Sequence, residues 1–167
     1  NAGTMGFETA QLLVEHLRSS HYSRLHRQLI EGLVETDTLF FRDFPVFKFM
    51  RHEAIPRLLE RHQKDKEINI WCAGCSSGQE AYSISIMVKE AIPTLSDWTV
   101  HILGTDISKG LLEKASQGLY TQDEVQHGLP AALLLRNFTK SGIRWTVNED
   151  HTNRVEFRQM NLVTDEW

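Results

Sequence analysis

The stretch "INIWCAGCSSGQEAYSISIMVKE", residues 68–90, runs from an apolar segment through a hinge of small residues into helical apolar spacing. No other part of the chain constrains the fold as strongly. Ile68–Cys72 reads as a buried strand, apolar on both faces like a central parallel strand, and Gly74–Gly78 as a turn. Gln79 to about Ala91 reads as a helix with Ile84, Met87, Val88 and Ala91 inward. A strand that ends in a glycine-rich turn and opens a helix is a ligand cradle. Glycine permits positive φ and close backbone approach, and the N–H groups of a helix start attract polar or anionic groups. After the loop "IPTLSDW", "TVHILGTD" is a second strand, so strand–helix–strand order predicts a parallel sheet with right-handed crossovers.

The remaining segments fit around this unit. "FETAQLLVEHLRSSHYSRLHRQLI" spaces Leu12, Leu13, Leu17, Leu25, Leu29 and Ile30 as one or two helices. Pro45 opens a further helix with Phe47, Met50, Ile55, Leu58 and Leu59 as its apolar stripe, and Pro56 kinks or divides it. "SKGLLEKASQGLY" reads as a short helix starting near Ser108, and "LPAALLLRNF" as another entered through Pro130. "GIRWTVNEDHTNRVEFRQMNL" reads as two strands about a polar turn. The fold class is α/β, half of a Rossmann-like domain with an insertion.

Asp106 closes the second strand, where Rossmann-type folds place a carboxylate for ribose hydroxyls. Gly74, Gly78 and Asp106 together suggest a ligand containing adenosine. "AGCSSG" is neither G-x-G-x-x-G nor a Walker loop, and the interval to Asp106 exceeds the roughly 20 residues of dinucleotide binders. Taken alone, these residues also suit a packing turn and a helix-capping aspartate. Glu80 discriminates further. It would repel a pyrophosphate docked at the first helical turn but would hold an ammonium group there. Adenosine with a cationic amino-acid tail describes S-adenosyl-L-methionine better than NAD, which disfavours an oxidoreductase.

"TDTLFFRDFPVF", "IWCAGCSSGQEAYSISI", "ILGTDIS" and "FRQMNL", in this order and spacing, resemble the CheR family of chemotaxis-receptor methyltransferases over about residues 33–167. The resemblance implies a Rossmann-like class I methyltransferase domain, methyl transfer from S-adenosyl-L-methionine to receptor glutamates, and chemotaxis receptor cytoplasmic helices as partner. It places Thr36, Thr38 and Arg42 on a segment folded over the cofactor and Glu80 on the methionine moiety. Asp106 falls on the ribose, and Asn161 and Leu162 flank the adenine. Ala81 and Gln79 depart from a frequent proline and glutamate without removing a ligand group. The implied organisation is an N-terminal helical segment at 1–32, a cofactor-binding domain at 33–167, and an inserted β-subdomain at about 119–153. About three core strands (68–72, 99–104 and 154–158) are visible where such an enzyme has about seven, and the family's late-strand signature has no counterpart before Trp167. The chain therefore resembles the N-terminal and central portion of the enzyme. The expectation is little activity alone, and either self-association through an open edge at strand 68–72 or survival only with the missing half present or supplied by another copy.

A carboxylate nucleophile needs no strong base, so alignment carries the catalysis. Arg42 is the candidate to orient either the substrate carboxylate or the cofactor's own; an ion pair with Asp43 is its plainer reading. A catalytically silent cofactor-sensing module on the same fold is the alternative function. With 41% hydrophobic and 24% charged residues the chain reads as globular, and its net charge of −4 argues against nucleic acid. No run of about 18 apolar residues predicts membrane insertion. With two cysteines there is no disulfide framework, and a reducing cytoplasm is the expected location. Cys72 and Cys75 lack a second ligand pair and read as buried filler, and the eight histidines contain no H-E-x-x-H, so no metal is expected.

Overall fold

The computed structural model describes residues 2–21, 23–33, 37–92 and 95–163. The chain divides into two compact units, Asn1–Glu35 and Thr36–Trp167. In the first, a 3-10 turn at Ala2–Met5 precedes α1 (Ala10–Ser19) and α2 (Arg24–Leu33). Thr9 caps α1 by accepting the Leu12 N–H at 3.2 Å, which satisfies one of the helix's orphan donors. The His26 ring bridges the two helices, with Nε2 donating to the Leu17 carbonyl at 2.9 Å.

The second unit opens with α3 (Phe44–Phe49), a π-turn (Met50–Ala54) and α4 (Ile55–Arg61). The sequence expects Pro56 to disturb this helix, and the π-turn is the form the disturbance takes. Ile55 N–H reaches back to the Met50 carbonyl, widening the helix just before a residue that has no N–H to give. Phe47 and Ile55 are buried, and Met50, Leu58 and Leu59 pack against the same core.

Next come β1 (Glu67–Ala73), α5 (Gln79–Ala91), β2 (Thr99–Asp106) and α6 (Lys109–Gln117), the last capped by the Ser108 side chain. A small insertion follows: β3 (Leu119–Thr121), α7 (Gln122–Gln126), α8 (Ala131–Asn137), β4 (Phe138–Ser141) and β5 (Arg144–Val147). After α9 (Glu149–Thr152), β6 (Val155–Gln159) returns to the main sheet. That sheet is parallel throughout, in the order β1-β2-β6, with β1 at an edge. The insertion forms an antiparallel sheet in the order β3-β5-β4.

Three local readings need correction. Tyr120 belongs to strand β3 rather than to the end of a helix, and Thr121 begins α7 through a full capping box with Glu124. The "TQDE" quartet carried that signal. The polar turn before β6 contains α9. Finally, β1 is not apolar on both faces: Ile68 and Cys72 face the helices, whereas Asn69 and Trp71 point to the other face and are exposed, Trp71 by 45%. The pairing register puts His101 of β2 and Glu156 of β6 on that same exposed side. Among the described residues one sheet face is covered and one is open.

A buried polar chain ties the insertion to α5. Ser85 and His151 are fully buried and Asn137 nearly so. His151 Nδ1 lies 2.9 Å from Ser85 Oγ, and Nε2 lies 2.9 Å from Asn137 Oδ1. Asn137 Nδ2 donates to the Leu133 carbonyl, so its Oδ1 must accept. The neutral tautomer follows: Nε2–H donates to Asn137, and Nδ1 accepts the Ser85 hydroxyl. The trio has the composition of a nucleophilic relay, but no substrate can reach a buried Ser85, so it is a latch.

Candidate functional site at the strand ends

The carboxyl ends of β1, β2 and β6 converge, as ligand crevices of parallel α/β sheets require. Gly74 (φ 75°) has open space where a Cβ would stand. Gly78 (φ 91°) does not: a Cβ there would lie 2.9 Å from Ala115 Cβ and 3.1 Å from Phe157 Cζ. The two hinge glycines thus have different causes. Gly74 is fixed by its positive φ with open space above it, whereas Gly78 also lets α5 pack against α6 and β6.

Four of the hinge amides are already committed within the protein. Gly74 and Cys75 N–H both donate to the Thr105 carbonyl, at 2.8 and 2.9 Å, and Gly78 N–H donates to the Cys75 carbonyl. Asp106, buried, accepts Ser76 N–H on Oδ2 at 2.8 Å and Ser108 N–H on Oδ1 at 2.9 Å. Each carboxylate oxygen keeps a second lone pair for a hydroxyl donor. Met160 N–H donates to the Asp106 carbonyl at 3.0 Å, which brings half-buried Asn161 and exposed Leu162 out beside it.

Glu80 stands in the first turn of α5. It is exposed as a residue, yet desolvation at its carboxyl, joined by the Asp43 charge, pushes it above the ordinary glutamate range; a Cys72 hydrogen bond pulls the other way. Residues 37–43 reach this point because Phe41 N–H donates to Ser83 Oγ at 3.0 Å, one turn along α5. Phe40, fully buried, anchors the same segment between Tyr120 and Phe138, at ring-centroid distances of 5.0 and 5.5 Å. Thr38 is half-buried on this segment; Thr36 lies outside the described residues.

Arg42 is exposed and donates Nη1 to the Asp37 carbonyl at 2.8 Å; among the described residues no ion pair joins it to Asp43. Asp43 precedes α3 but makes no side-chain cap, so its carboxylate is left to act on Glu80. Sequence reasoning missed it because an aspartate before Phe-Pro reads as a cap or as the partner of the adjacent arginine. Cys72 and Cys75 are buried, and burial pushes both thiols up to about 12, with Glu80 raising the first further and Asp106 the second. They are packing thiols beside the site, not nucleophiles.

The donor set is specific. Glu80 and Asp43 act on each other with no ion pair to either among the described residues, which suits an ammonium group; Asp106 offers lone pairs to hydroxyls, and Gly74 offers room. Such a set repels a pyrophosphate and suits adenosine carrying an amino-acid tail.

Comparison with known proteins agrees with that chemistry. A chemotaxis protein methyltransferase of Borreliella burgdorferi is 31% identical over 166 residues, 97% of this chain and 58% of that protein. Chemotaxis protein methyltransferase Cher2 of Pseudomonas putida is 32% identical over 162 residues, 95% of this chain and 58% of that protein. Chemotaxis protein methyltransferase 1 of Pseudomonas aeruginosa has the same identity and coverage. The chain thus spans little more than half the length of these relatives. No helix among the described residues is long and apolar enough to cross a membrane. The model of the CheR methyltransferase SAM binding domain matches residues 36–167, and the chain belongs to that family, with S-adenosylmethionine as the cofactor of the matched domain.

Proposed function

We propose that this chain is the cofactor-binding portion of a cytoplasmic protein-glutamate O-methyltransferase that converts glutamates on the cytoplasmic helices of chemotaxis receptors into methyl esters. The observation that carries the reading is Glu80 in the first turn of α5, its carboxyl raised by desolvation and by the Asp43 charge, directly after the hinge that Asp106 holds through the Ser76 N–H. When bound, S-adenosylmethionine supplies an electrophilic methyl group on a sulfonium centre. Glu80, with Asp43 behind it, would hold the ammonium, and Asp106 would accept the ribose hydroxyls. Asn161 and Leu162 would flank the adenine, and Thr38 would approach from the covering segment, the role the family resemblance also implies for Thr36. Gly74 supplies clearance, and Gly78 acts through packing. Arg42 keeps donors beyond Nη1 for a carboxylate, either the cofactor's or the incoming glutamate's. That glutamate is ionised at neutral pH, so the protein's task is alignment.

The test incubates the full-length protein with methyl-labelled S-adenosylmethionine and a receptor cytoplasmic fragment, then treats the product with alkali. Label released as methanol supports a glutamate ester; alkali-stable label, or none, overturns the reading. We propose also that the 167-residue chain alone transfers methyl groups poorly and pairs with a second copy along β1, a strand edge beside exposed Trp71. Sedimentation would test this, and a fully active monomer would refute it.

A further inference from the structure

A second cavity, of about 280 Å³, opens between α3, α5 and the loop joining α7 to α8, and none of the proposed cofactor residues lines it. Its floor and walls are apolar: Ile86 and Met87 from α5, Phe41 and Phe47 on one side, Leu133 on the other. Ile86 is fully buried and Met87 nearly so, while Phe44 at the mouth is 71% exposed. The rim is basic. Lys48 and Arg51 supply its two positive charges, His52 stands beside Arg51, and all three are exposed. Among the described residues none of them takes part in an ion pair. The one acid at the mouth, Glu90, is already paired with Arg136 at 3.2 Å. A chain of net charge −4 therefore carries a positive rim over an apolar floor.

We propose that this cavity docks an acidic peptide segment of a partner protein, seating one aromatic or aliphatic side chain on the floor while neighbouring carboxylates meet the cationic rim. Both halves of the site point to that occupant. A small inorganic anion would gain nothing from the apolar floor, and a neutral apolar ligand nothing from the rim. The cavity holds about one large side chain, and the two cations stand roughly 4.5 Å apart along the helix, a spacing suited to neighbouring acidic residues of a peptide. A buried apolar anchor ringed by complementary charge is the usual economy of a small docking site. Phe41 forms part of the wall and immediately precedes Arg42, so an occupant would touch the segment that reaches the cofactor crevice.

The test selects a random 12-residue peptide display library on the full-length protein, with Lys48→Glu/Arg51→Glu as counter-selection. The expected peptides carry Phe, Trp, Leu or Ile beside Asp or Glu. They bind wild type at least ~10-fold tighter than the double variant, and weaken as salt rises. Both substitutions are at exposed, unpaired positions, so urea midpoints should match. The milder Lys48→Gln/Arg51→Gln pair should give an intermediate loss. S-adenosylhomocysteine affinity should be unchanged in both, which separates this site from the methyl-transfer reading. Enrichment of neutral or basic peptides, equal binding to the double variant, or decanoate binding tighter than any selected peptide overturns the proposal.

Discussion

Acidification should unlatch the insertion through one histidine. His151 is fully buried, and desolvation lowers it to about 4, with Lys89 and Arg154 lowering it further and Asp150 partly opposing them. An unfolded histidine titrates near 6.5. Because the folded value is the lower one, the stabilisation is complete above the unfolded value and is lost as pH falls from about 6.5 towards 4. By linkage the loss between pH 7 and pH 5 is about 2 kcal/mol, rising to about 3 kcal/mol below pH 4. Protonation also removes the acceptor at Nδ1 that the Ser85 hydroxyl uses. The control is His151→Gln, whose amide can donate to Asn137 and accept from Ser85 without titrating. Urea unfolding at pH 7 and pH 5 should show wild type losing about 2 kcal/mol more than the glutamine variant. Asp150 and Glu124, whose ion pairs hold them below the usual carboxylate range, contribute their losses at lower pH, whereas Glu80, raised by desolvation, gains stability as pH falls. Both proteins share these groups, so the difference between wild type and variant isolates His151. Equal pH slopes in the two proteins would refute the latch.

Three further outcomes follow from the site and its supports. Glu80→Ala should weaken S-adenosylhomocysteine binding by about 1.5–3 kcal/mol, measured by calorimetry with NAD as the comparison ligand; unchanged affinity would reduce Glu80 to a helix-dipole residue. Arg42→Ala in the full-length enzyme should lower turnover with cofactor affinity intact if Arg42 steers the substrate, or lower both if it binds the cofactor. Lysine should rescue poorly, because it lacks the planar fork. Gly128→Ala should cost about 3 kcal/mol or more in urea titrations. Its φ is 92°, and the new Cβ would stand 1.9 Å from the Phe40 carbonyl oxygen. A neutral effect there would show that the segment before Arg42 is not held by the insertion.

How much of this was legible beforehand depends on how local each signal is. The helix at Gln79–Ala91 and the strand at Thr99–Asp106 lie where apolar periodicity and the hinge put them, because each is decided by neighbours within a turn or a pleat. Pro56 was equally readable, since a missing N–H acts on its own helix. The edge position of strand 68–72 also follows from local order combined with the parallel crossover rule. Tertiary structure decided the rest. Asp43 and Glu80 are separated by 36 intervening residues, and only the docking of Phe41 on Ser83 brings their charges together. Gly78 looks from sequence like a ligand glycine, but Ala115 and Phe157, both remote in the chain, are what crowd it. Ser85, Asn137 and His151 become one latch only when α5, α8 and α9 meet. Each of these depends on closing a long loop, and the free energy that closes it is the burial of two cores whose members no short window of sequence contains.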